Sequence, residues 1–150
     1  MKRVICVLLL IAAVFLLSSC FGKLKYVPDG YIESEEHFDE SGFQDFTDFC
    51  YYKYNSADCF KENKAYTKIG ESDIENVKGY FEHFGSVMEY ENRMDEYVFD
   101  INSVSSGDYV RIETKEGKPI GDSKYEKYDN YSIYFFDVET LTLYYIHTNI

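Results

Sequence analysis

The sequence predicts an α+β fold, with one or two N-terminal helices packed on a four-stranded antiparallel meander sheet. Three observations carry that prediction. Over residues 74–88 apolar side chains recur at helical spacing, and from about residue 97 the pattern changes to the alternation of strands. The links between the later segments are short and turn-rich, which favours antiparallel neighbours. No internal repeat divides the chain, so residues 41–150 read as a single small domain.

Ser41-Gly42-Phe43-Gln44 has the S-x-x-Q form of a capping box, and Phe43, Phe46, Phe49 and Cys50 follow at helical spacing. These residues predict a short helix over about 42–53, with a strand as the competing reading because 49–54 is rich in aromatics. Asn55-Ser56-Ala57-Asp58 is turn chemistry, and 59–71 is a polar connection with little periodicity. Ser72-Asp73-Ile74-Glu75 forms a full capping box that opens the second helix. Its apolar stripe is Ile74, Val77, Tyr80, Phe81, Phe84, Val87 and Met88, with Glu75, Lys78, Glu82 and Glu89 off it. A domain of this size needs a core, and this stripe is read as that core rather than as a membrane-lying face. His83 falls at the stripe's boundary. Strands are predicted over 97–101, 109–114, 131–136 and 142–147, with a long polar loop over 115–123.

The N-terminus sets the address. Lys2 and Arg3 precede an unbroken apolar run over residues 4–17, which at 14 residues is short for a span of about 20. Ser18 and Ser19 follow as small residues, the layout of a secretory signal. Leu17-Ser18-Ser19-Cys20 resembles the lipobox of bacterial lipoproteins, with Ser19 where Gly or Ala is commoner. The resemblance implies that Cys20 is acylated through a thioether and that residues 1–19 are removed. It places the chain at the cell membrane, lipid-anchored on the extracytoplasmic face. Residues 20–40 then read as an acidic tether reaching about 25 Å. In style and length the remainder resembles the small exported lipoproteins of Gram-positive bacteria, a likeness that implies no activity.

Composition narrows the partners. The chain carries 27 Asp and Glu against 15 Lys and Arg, and loss of residues 1–19 removes Lys2 and Arg3 but no acid, moving the net charge from −12 to −14. Such a surface repels nucleic acid and anionic polymers and favours a basic or neutral partner. The expected partners are the membrane, through the lipid anchor, and a surface protein or envelope component, with no nucleic acid. Aromatics number 16 Tyr and 12 Phe with no Trp, and all but Phe15 are spread over the mature chain.

No motif for phosphate, dinucleotide or zinc chemistry occurs, and no cofactor, metal or catalytic residue is assigned. His37, His83 and His147 fall in linker, helix and last strand, with no Ser in a nucleophile elbow. His37 among acids, Asp45 with Asp48, and Asp95 with Glu96 are read as solvated charge ahead of weak cation sites. Cys50 and Cys59 close a ten-residue loop if joined, and pack as free thiols if not; both readings stand. The candidate binding face is Tyr131, Tyr134, Tyr144, Tyr145 and His147, weighed against ordinary cross-strand packing of the same five. The functional expectation is a non-enzymatic binding module at the cell surface. A small envelope hydrolase and an inhibitor or immunity-type protein are the alternatives.

Overall fold

The computed structural model describes residues 24–39, 46–114, 128 and 130–149. The lipobox, the Ser41–Gln44 capping signal and the 115–123 loop lie outside the described residues. Strands β1 (Glu33–His37), β2 (Phe46–Lys53), β3 (Thr67–Lys68), β4 (Tyr109–Thr114), β5 (Asn130–Asp137) and β6 (Thr142–Asn149) form one sheet. Their order across it is β1-β2-β6-β5-β4-β3, with every pairing antiparallel. Helix α1 (Asp58–Lys61) is a single turn, and α2 (Ile74–Tyr90) is the one long helix among the described residues.

This corrects the predicted fold class. The domain is mostly β, with six strands rather than four, and its long helix lies in mid-chain between β3 and β4. Residues 46–53 are β2, not a helix, because the strand lies between β1 and β6 and is covered on both faces. β2 buries side chains on both faces, so its apolar residues do not alternate strictly and Phe46, Phe49 and Cys50 imitate helical spacing. Residues 97–101 are not a strand. Tyr97 and Phe99 turn inward and Val98 outward, as alternation requires, but the inward rings pack on α2 and no ladder forms with a described strand. Phe99 stacks on Phe81 at 3.9 Å between ring centroids, and the Tyr97 hydroxyl donates to the Phe81 carbonyl at 3.1 Å.

The stripe predicted over 74–88 does form the core face of α2: Val77, Tyr80, Phe81, Phe84 and Met88 are buried against Phe49, Val110, Ile133, Phe135 and Ile146. Its start differs from the predicted box. A 3₁₀ turn over Glu71–Asp73 precedes the helix, and the Asp73 carboxylate accepts from the Gly70 N–H at 3.0 Å.

The opposite face of the sheet is covered too, by the segment from Leu24 to Tyr31 and by residues 54–66. Phe60 of α1 stacks on Phe136 at 3.7 Å, and Tyr54 and Tyr66 pack edge-on around it. Their hydroxyls hold the N-terminal segment: Tyr54 donates to the Pro28 carbonyl and Tyr66 to the Tyr26 carbonyl. The Arg111 guanidinium lies 3.6 Å from the Tyr26 ring centroid, a cation–π contact that fixes the same segment. Val27 is buried, and β1 is built from residues read as tether, so part of the 20–40 stretch belongs to the folded unit. Aromatics on both faces explain the composition: one sheet with two covered sides needs twice the apolar surface.

Candidate functional site

Among the described residues an open cleft of about 720 Å³ lies at the end of β1, lined by Glu36, His37, Phe38, Asp39, Glu91, Arg93 and Glu96. It arises where α2 stops. Asn92 takes the left-handed conformation that Asn tolerates, and the Arg93 N–H donates back to the Met88 carbonyl at 2.9 Å. The reversal aims Arg93 at β2. Its Nη1 donates to the Thr47 carbonyl at 3.1 Å and to Thr47 Oγ1 at 2.9 Å, while Nε and Nη2 grip the Glu96 carboxylate. Thr47 Oγ1 in turn donates to Glu91 at 2.5 Å. Arg93 thus buttons the post-helix loop to the sheet, and the planar five-donor guanidinium suits that task.

The cleft's charge is acidic. Arg93 holds the Glu96 carboxyl below the usual carboxylate range, and Glu96 in turn raises Arg93. His37 Nε2 donates to Glu35 at 2.9 Å, and its Nδ1 lies 3.8 Å from Glu96. Glu35 also accepts from the Tyr51 hydroxyl at 2.7 Å, and these two donors lower its carboxyl. On the other side of β1 the Tyr52 hydroxyl donates to Glu36 at 2.7 Å. Behind the cleft the Asp39 N–H donates to Asp48, whose burial raises its carboxyl.

A second constellation lies on three adjacent strands. Ser132 on β5 faces His147 on β6 with Oγ to Nδ1 at 2.8 Å, and Asp48 on β2 is the cross-strand partner of His147. The residue types are those of a hydrolytic triad, but the geometry is not. His147 Nδ1 also lies 2.9 Å from the Tyr131 carbonyl, which can only accept, so that nitrogen carries the proton. A protonated nitrogen facing Ser132 cannot take the hydroxyl proton, which general-base catalysis requires. His147 is held neutral by burial, with Phe46 packed at 4.9 Å. It is a structural imidazole.

The five residues read as a binding face do not share one. Tyr131 and Tyr144 lie on the α2 side, whereas Tyr134, Tyr145 and His147 lie on the other. Tyr131, Tyr134 and Tyr145 are buried and Tyr144 and His147 half-buried; Tyr134 packs across strands on Tyr145 and Tyr144 on Phe135, while Tyr131 packs on Tyr80 and His83 of α2. The Tyr131 hydroxyl donates to the Tyr80 carbonyl at 3.1 Å and meets His83 Nδ1 at 3.1 Å, which ties the sheet to α2. Cys50 and Cys59 are free thiols, Cys50 buried and Cys59 exposed. Desolvation pushes the Cys50 thiol up to about 12, which makes it inert. No described group of three or more His, Cys, Asp or Glu is placed to hold a metal ion. Asp95 is exposed, while Glu96 holds Arg93.

Sequence reasoning missed the cleft because Arg93 and Thr47 stand 46 positions apart and no local pattern joins them. The acidic run around His37 was the one visible signal. Compared with known proteins, the chain matches no protein-family model, no curated protein and no solved structure.

Proposed function

We propose that this chain is a lipid-anchored protein of the extracytoplasmic membrane face that acts as a non-enzymatic binding module for a surface protein or envelope component. The observation that carries the address is Cys20, placed after a positive start, an apolar run too short to span, and two small residues. Support for binding comes from the cleft at the end of β1, an acidic recess with Phe38 on its wall. Convergent polar groups beside an aromatic side chain are among the features by which ligand sites fix a partner's orientation. The hydrolase alternative needs a carboxylic acid facing the cleft with its proton held at neutral pH. Glu96 is held ionised by Arg93, and Asp48, a carboxyl raised by burial, lies behind Asp39 and not in the lining.

The test is crosslinking on intact cells with the wild-type chain at native level, followed by mass spectrometry. One dominant, stoichiometric protein or envelope component supports the reading. A smear proportional to abundance contradicts it and redirects work to hydrolysis assays.

A further inference from the structure

The two edges of the sheet differ. At one end β3 has two residues, too short to template another strand, and carries Lys68. At the other end β1 runs five residues, is exposed over Glu33–Glu36, and has no described strand on its outer side. An exposed edge of that length is a ready acceptor for an added strand. Its side chains set what can be added. Glu33, Glu35 and Glu36 stand on it, and the cleft beyond adds Asp39, Glu91 and Glu96, against Lys53 bound to Glu33 and Arg93 bound to Glu96. A second copy pairing there in antiparallel fashion sets at least one glutamate against another, Glu35 against Glu35 in the register centred on it, which disfavours it relative to a basic strand. At the two ends of the strand stand exposed apolar side chains, Ile32 at 63% and Phe38 at 37%.

We propose that the β1 edge docks an extended lysine- or arginine-bearing segment of a partner protein, which joins the sheet as a seventh strand. A basic side chain of that segment enters the cleft beside Phe38, and apolar side chains cover Ile32 and Phe38. This names the partner class for the binding module proposed above, and it rests on that reading. The anchor fits. Only three residues separate Cys20 from Leu24, and the following residues are fixed on Arg111 of β4 and Tyr134 of β5 through Tyr26. The acidic edge lies four strand spacings from β4, about 19 Å, so the lipid attachment leaves it open.

The experiment titrates the full-length chain, in nonionic detergent micelles, into labelled ten-residue peptides and reads fluorescence anisotropy. The first peptide alternates Lys with Val and Thr. The second replaces each Lys by Glu, and the third keeps Lys but is N-methylated on alternate backbone amides, which removes ladder donors. The lysine peptide is expected to bind, the glutamate peptide to show no binding, and N-methylation to weaken affinity roughly tenfold or more through lost backbone bonds. Reversing Glu35 and Glu36 to Lys is expected to abolish binding of the first peptide. Absence of binding by the lysine peptide overturns the proposal. So does equal affinity for the N-methylated peptide, which reveals charge adhesion without strand addition. Neither outcome touches the membrane address or a partner crosslinked elsewhere on the surface.

Discussion

Replacing Arg93 by alanine removes the button between the post-helix loop and β2. The guanidinium makes bonds to the Thr47 carbonyl and hydroxyl and to both oxygens of Glu96, with its side chain only 20% exposed. Thr47 is buried, so its lost charge-assisted bonds cost about 1.5–3 kcal/mol. The Glu96 pair is partly solvated and contributes about 0.5–1 kcal/mol more. The expected loss is about 2–4 kcal/mol, a large share of a stability on the order of 5–15 kcal/mol. Arg93→Lys restores one charge but not the fork, and recovers less than half of the loss. With 16 Tyr and no Trp, urea unfolding followed by tyrosine fluorescence and far-ultraviolet circular dichroism reads the change directly. A loss under about 0.5 kcal/mol, the range of ordinary surface substitutions, refutes the reasoning.

Two further outcomes follow from buried groups. In the native mature protein Cys59 reacts with a thiol reagent while Cys50 reacts only after unfolding; failure of both to react until a reductant is added shows that they are joined. His147 is depressed by burial, so the unfolded chain takes the proton first as pH falls below about 6.5, and stability is lost on acidification. Wild type therefore loses more stability than His147→Gln between pH 7.5 and 5.5, measured by urea unfolding, and an equal loss contradicts the assignment of that proton.

The sequence made α2 and the last three strands legible because each satisfies a local rule: a stripe at 3.6, alternation at 2, and turns of Asp, Ser and Gly between. The β5–β6 turn is one such case, where Asp137 accepts from the Glu139 and Thr140 N–H groups. What stayed hidden depends on contacts distant in sequence. β2 looks like a helix until β1 and β6 are known to flank it, and 97–101 looks like a strand until Phe99 is seen on Phe81. β1 was obscured by its own charge, since ESEEH reads as a solvated linker, yet Lys53, Tyr51 and Tyr52 across the ladder each take one of its glutamates. The tyrosine face failed for a related reason. Alternation sends Tyr131 and Tyr134 to opposite sides, and both sides are covered.

The measurement that most directly tests the account is the intact mass and N-terminal peptide of the protein purified from membranes, beside Cys20→Ala. The account predicts a chain beginning at Cys20 with diacylglycerol on its sulfur, and an alanine variant that leaves the membrane fraction or stays an unprocessed precursor. A mature chain beginning elsewhere, or a variant that migrates and fractionates like wild type, contradicts it.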